Sequence, residues 1–170
     1  MNASDRRAAI LDLLRGGSDP VSATALARRF GVSRQVVVGD IALLRAQGAD
    51  IASTPRGYLI PRPTSGIVRT LACRHSAADL EGELCLMVDN GCTVVDVAVE
   101  HPVYGQLSGR LQISSRYDVS EFIRRVDEES AKPLSLLTGG VHLHTLLCPD
   151  EAAFHRVRDA LDQAGFLVQE

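Results

Sequence analysis

Apolar side chains recur at helical spacing through the first part of the chain. Ile10, Leu13 and Leu14 share one face of a segment that Ser4 can cap and that Gly16-Gly17 ends. Leu26, Ala27 and Phe30 mark a second, two-turn helix over residues 23–30 behind Ser22, and Gly31 breaks it. Val37, Ile41 and Leu44 then give one face of a third helix, which starts after Ser33 and stops at Gly48. Past Gly48 the pattern changes to short extended runs: residues 51–54, a Pro55-Arg56-Gly57 turn, and residues 58–60, which together predict a β-hairpin.

Pro61, Pro63, Thr64, Ser65 and Gly66 read as a linker, so two domains are expected, at 1–61 and 67–170. Beyond the linker, residues 67–73 are extended, 77–90 helical through Leu80, Leu84, Met87 and Val88, and 93–99 rich in β-branched residues. Residues 106–114 alternate as a solvated strand, and 119–131 form a helix with Phe122, Ile123 and Val126 inward. An apolar strand over 141–148 and a helix over 150–164, closed by Gly165, complete the pattern. Four or five strands, three helices and hairpin-length connections predict an α+β fold: a mostly antiparallel sheet under one layer of helices.

Two short helices joined by a tight Gly-containing turn, with small Ala27 at the crossing, make a helix-turn-helix, and the hairpin behind the third helix makes a wing. The segments ALARRFGVSRQVVVGDIALLRAQG and STPRGYLI resemble the winged helix-turn-helix domains of bacterial transcription regulators over about 60 residues. In such a domain the third helix enters the major groove, which makes Ser33, Arg34 and Gln35 candidates for bases and phosphates. Val38 suits a thymine methyl and Arg56, at the wing tip, a minor groove. Gly39 gives up about 1 kcal/mol against Ala in an exposed helix, so either close approach to DNA or a packing contact needs the space.

Composition adds an asymmetry that the net charge of -3 conceals. Residues 1–62 hold nine arginines against five aspartates, whereas residues 63–170 hold nine basic against sixteen acidic side chains and all five histidines. A basic segment on an acidic one fits a polyanion-binding module joined to something else. The apolar fraction of 45% suits a globular chain, and no run approaches the roughly 18–20 apolar residues of a membrane span. The N-terminal stretch MNASDRRAAILDLLRGG lacks the apolar region of a signal peptide, so a cytoplasmic location is expected. Cys73, Cys85, Cys92 and Cys148 form no C-x-x-C and sit among apolar neighbours; they read as reduced, buried thiols.

His142-Leu143-His144 on a strand puts two imidazoles on one face, with Leu143 expected to point the other way, into the core. Such a pair serves either a divalent transition metal or a hydrogen-bonded sheet face. Three further pieces stand beside it in the chain: His75 with Glu83 eight residues on, HPVYG at residues 101–105, and GGVHLHT at residues 139–145. In combination these resemble the three-histidine, or 3H, regulatory domain that follows a winged helix in the niacin-responsive repressors of NAD biosynthesis, and the resemblance then spans about residues 5–165. It implies a metal site of His75, Glu83, His142 and His144, with the eight-residue interval from His75 selecting Glu83 over Asp79 and Glu81. Three imidazoles and one carboxylate suit nickel, zinc, iron or cobalt better than magnesium or calcium.

The same resemblance implies nicotinic acid as effector, double-stranded operator DNA and a second copy of the chain as partners, and repression of NAD-biosynthesis or niacin-uptake genes. His101 and Tyr104 are candidates to line the ligand pocket, and His101 equally suits a ring that fixes a tight turn. His155 is expected on the exposed side of the last helix. No phosphate loop, activated nucleophile or cofactor fingerprint points to catalysis, so a non-enzymatic regulator is expected. A metal-dependent hydrolase fused to a DNA-binding domain and a metal sensor without an organic ligand are the alternatives.

Overall fold

A computed structural model describes residues 2–61 and 65–169. These residues fall into two compact units that divide between residues 64 and 65. Pro63 and Thr64 of the expected linker lie outside the described residues. No helix among the described residues is long and apolar enough to cross a membrane.

In the first unit, α1 (Ala3–Gly16), α2 (Ala23–Phe30) and α3 (Arg34–Ala46) precede a hairpin of β1 (Ala52–Thr54) and β2 (Gly57–Leu59). The cap of α1 is Asn2, whose Oδ1 accepts from the Asp5 N–H at 2.9 Å, rather than Ser4, which lies inside the helix. Ile10, Leu14, Leu26, Ala27, Val37, Ile41, Leu44 and Ile51 are buried together, so the apolar stripes of three helices meet in one small core. Gly31 ends α2 with φ 65°, a left-handed value that a Cβ disfavours, and this lets the chain turn directly into α3. Backbone hydrogen bonds in both directions between Val21 and Tyr58, at 2.8 and 2.9 Å, hold the hairpin against the loop before α2.

The second unit has an antiparallel sheet in the order β3-β6-β4-β5, with β3 (Ile67–Arg74), β4 (Thr93–His101), β5 (Gly105–Ile113) and β6 (Val141–Cys148). Helices α4 (Leu80–Asp89), α5 (Arg116–Glu128) and α6 (Glu151–Gln163) pack on it over a core that includes Leu84, Met87, Val94, Ile113, Val119, Leu146, Val157 and Leu161. The fold is the expected α+β arrangement, with three local corrections. The helix expected over 77–90 begins as a 3-10 turn, Ala77–Asp79. The helix expected over 119–131 lies earlier, because Ser115 caps it by accepting from the Asp118 N–H, ahead of its first apolar residue. A 3-10 turn over Leu134–Thr138, which the sequence did not suggest, leads through Gly139 and Gly140 into β6.

Candidate metal centre and nucleic-acid interface

Strand β6 alternates strictly: His142, His144, Leu146 and Cys148 are buried, and Leu143 on the opposite face is only partly so. The histidines, and not Leu143, therefore face the core, because the helices pack on the side that carries them. Strand β3 pairs with β6 so that Cys73 stands opposite His142 and Leu71 opposite His144. His75 follows two residues past Cys73, just beyond the strand. Glu83 comes from the first turn of α4, where the helix N-terminus favours an anion, and it is completely buried.

These elements bring His75, Glu83, His142 and His144 to one point. The Nε2 atom of His75 lies 2.7 Å from Glu83 Oε2, that of His142 3.0 Å from Oε1, and that of His144 3.2 Å from Oε2. Every one of these side chains is at most 2% exposed. The His142 ring stands edge-on to both other imidazoles, with centroids 4.9 Å apart in each case.

Each ring is oriented through its other nitrogen. Nδ1 of His75 is 2.6 Å from the Ser76 carbonyl, Nδ1 of His142 2.8 Å from that of Gly140, and Nδ1 of His144 2.8 Å from that of Asp96. A carbonyl only accepts, so each Nδ1 carries a proton and each neutral ring turns the lone pair of Nε2 toward a carboxylate that also only accepts. Three acceptor nitrogens facing two acceptor oxygens need a cation among them, either protons on the rings or a metal. Backbone carbonyls fixing the tautomer of histidines is the arrangement that metal-ligating imidazoles use, so the donor set fits a divalent transition metal.

The electrostatics agree. Burial alone would raise Glu83 and lower His75, but the hydrogen bonds between carboxylate and rings outweigh it, holding Glu83 far below the usual carboxylate range and raising His75. Cys73, read from sequence as a thiol among apolar neighbours, is completely buried with its sulfur within 4.8 Å of a Glu83 oxygen, and burial together with that carboxylate pushes the thiol up.

Two further residues went unread. Gly140 lies so close to His75 that a Cβ would stand 2.5 Å from the His75 carbonyl oxygen. Phe166 packs at a tilt against the His75 ring, with centroids 5.3 Å apart, brought there because the segment after α6 bonds to the edge of β3 through Arg74 and Ala72. Neither was legible, since both act across contacts between segments far apart in the chain.

Among the described residues, His101 and Tyr104 make no hydrogen bond or ring contact with the four donors. They sit at the β4–β5 connection, where His101 Nδ1 accepts from the backbone N–H groups of Val103 and Tyr104 at 3.1 and 3.3 Å. His101 thus fixes the turn, while Tyr104, 73% exposed, lies against its ring. His155 is exposed on α6.

In the first unit, Ser33 Oγ caps α3 by accepting from the Val36 N–H. Arg34, Gln35, Val38 and Gly39 are all exposed on that helix. A Cβ on Gly39 would meet nothing within 4 Å, which removes intramolecular packing as the reason for glycine there. Arg56 lies in the two-residue turn of the wing and is half-buried. The aim of α3 depends on residues that the sequence did not single out. Asp40, 4% exposed, receives the Arg6 guanidinium at 2.6 Å and so ties α3 to α1. Arg45 donates to the Ile51 carbonyl at 2.8 Å and to Ser53 Oγ at 2.6 Å, and lies over the Tyr58 ring, tying the end of α3 to the wing.

A helix-turn-helix unit followed by a unit with a buried three-histidine cluster defines a two-part regulator. Residues 6–59 match the HTH domain family and residues 68–170 the 3H domain family, and the chain belongs to the 3H family of helix-turn-helix proteins. It is similar to the probable transcription repressor NiaR of Thermotoga maritima, with 42% identity over 166 residues that cover 98% of this chain and 95% of that one. It is also similar to the transcription repressor NadR of Bacillus subtilis, with 41% identity over 171 residues and the same coverage.

Proposed function

We propose that the protein is a DNA-binding transcription repressor of genes for NAD biosynthesis or niacin uptake, and that it answers to nicotinic acid through a divalent transition metal, nickel, zinc or iron, held by His75, Glu83, His142 and His144. The observation that carries the reading is the convergence of three Nε2 lone pairs on one buried carboxylate, in a chain whose other unit is a helix-turn-helix. When bound, the metal supplies a localised positive charge and a position for a pyridine nitrogen or a carboxylate. The chain's own residues orient that centre and keep water from it. Ser33, Arg34, Gln35 and Val38 on α3, with Arg56 on the wing, meet the operator, and two copies of the chain read half-sites about one helical turn, or a multiple of it, apart. His101 and Tyr104 border the effector pocket, with the His101 ring also holding its turn.

This is a regulator rather than an enzyme: the relatives carry repressor names, and a DNA-bound repressor works in the cytoplasm. One observation favours a second reading, a sensor of metal alone, because all four donors are at most 2% exposed. Metal analysis of the purified protein, then calorimetry with nicotinic acid and nicotinamide, tests both. Expected are stoichiometric metal that His142→Ala releases, and nicotinic acid binding only to metal-loaded protein, more tightly than the uncharged amide. Operator binding that follows metal and ignores nicotinate decides for the metal sensor, and turnover of pyridine amides or esters, abolished in His142→Ala, for an enzyme.

A further inference from the structure

The four donors do not account for everything that faces Glu83. On β3, Cys73 shares its face with His75, two residues on, and it is paired directly with His142 across the sheet. The Sγ atom of Cys73, a Glu83 carboxylate oxygen and a ring nitrogen of His142 all lie within 4.8 Å of one another. Two donors of one ion stand no further apart than the sum of their bonds to it, about 4.4 Å for a sulfur at about 2.3 Å and a nitrogen at about 2.1 Å. The separations exceed that sum by a few tenths of an ångström at most, which side-chain rotation closes.

Cys85, Cys92 and Cys148 are placed differently: Cys148 lies six residues further along β6 from His142, and none of the three belongs to such a group of donor atoms among the described residues. A buried thiol within 4.8 Å of both the shared carboxylate and the His142 ring nitrogen stands where a further ligand would stand.

We propose that Cys73 is a fifth protein donor to this centre, a thiolate that ligates the metal beside His75, Glu83, His142 and His144. The inference rests on the metal reading above. As the metal–sulfur bond forms, the S–H bond breaks and its proton leaves to solvent, so no oxidant or reductant enters. A thiolate in the set shifts preference from manganese and magnesium toward thiophilic ions such as zinc, iron and cobalt, and leaves at most one position of a six-coordinate ion for an outside ligand.

Cobalt(II) added to metal-free, full-length protein under reducing conditions provides the test. Wild-type protein is expected to show visible ligand-field bands together with a near-ultraviolet thiolate-to-cobalt charge-transfer band. Cys73→Ser keeps the visible bands, loses the charge-transfer band and binds cobalt at least tenfold more weakly, while Cys85→Ser changes neither. Because Cys73 is completely buried and its variant can fail to fold, X-ray absorption at the cobalt edge of the wild type gives an independent readout, a sulfur neighbour at about 2.3 Å. Stoichiometric cobalt with only nitrogen and oxygen neighbours and no charge-transfer band overturns the role of Cys73 and leaves the three-histidine centre standing. A protein that takes up no cobalt, or whose uptake ignores His142→Ala, overturns both.

Discussion

Gly140 shows how narrow the tolerance around the centre is. Its φ of 93° lies in the left-handed region, a Cβ would collide with the His75 carbonyl oxygen at 2.5 Å, and its own carbonyl orients the His142 ring. The nearest obstacle is backbone, so it cannot swing aside. Gly140→Ala is expected to lower unfolding stability by about 1–3 kcal/mol and to weaken metal binding in the same variant. Denaturant titration with metal analysis checks this, and an alanine variant with unchanged midpoint and metal content would contradict the close approach.

The charges of the cluster give a second expectation at this scale. Glu83 is lowered from an ordinary value of 4.5, so its contribution to stability is present above that pH and is lost as pH falls toward its depressed value. His75 is raised from 6.5, so its contribution is full below 6.5 and is lost as pH rises through the raised value. Metal-free protein therefore gains most from the pair between about 4.5 and 6.5 and loses the His75 part in alkaline buffer. Metal needs neutral imidazoles, so stabilisation by added metal should run the other way and fade as pH drops through the raised value of His75. Denaturation midpoints across pH, with and without metal, check both trends; metal-free protein that gains stability steadily into alkaline buffer would remove this account of the pair.

The elements themselves were largely legible, and the reason is physical. Strand β6 shows the two-residue period and α2 the three-to-four-residue period because each buries one face, and burial writes its period into the sequence. What period cannot say is which face the core lies on: His142 and His144 turned inward because a buried carboxylate on another element receives them, whereas a rule of apolar-inside sends Leu143 there. Nor does period give register. That Cys73 faces His142, and that the Asp96 carbonyl holds His144, follows from the pairing of strands distant in the chain. The cap of α1 and the start of α5 differ from expectation for a smaller reason, since several Ser, Asn and Asp side chains compete within one turn and only one of them meets the open N–H.

Helix α3 carries the prediction that belongs to this scale. With open space where its Cβ would be, Gly39 costs the isolated protein helix stability and gains it nothing in packing. The remaining use for the missing side chain is close approach of the operator. Gly39→Ala is therefore expected to raise unfolding stability by up to about 1 kcal/mol while weakening operator binding. Thermal unfolding and gel-shift titration on one sample separate the effects, and an alanine variant that is more stable and binds DNA equally well would show that the groove does not reach this position.

At the scale of the whole molecule, the chain divides between residues 64 and 65 into an arginine-rich unit with the helix-turn-helix and an acidic one with the histidine cluster. An effector held in the second unit alters DNA affinity in the first only through a difference in its own binding between arrangements of the full protein, and the coupling is reciprocal: operator DNA must tighten nicotinate binding by the factor by which nicotinate tightens operator binding. Coupling energies of this kind run to about 1–3 kcal/mol, so metal-loaded full-length protein is expected to bind its operator up to about a hundredfold more tightly with nicotinic acid present. Protein cut between Pro61 and Gly66 should keep nicotinate binding in one fragment and salt-sensitive DNA binding in the other while losing the coupling between them. Calorimetry of nicotinate in the presence and absence of operator DNA measures the reciprocal factor directly. Nicotinate affinity that ignores DNA, in protein that binds both, would mean that the two units share a chain without sharing a signal.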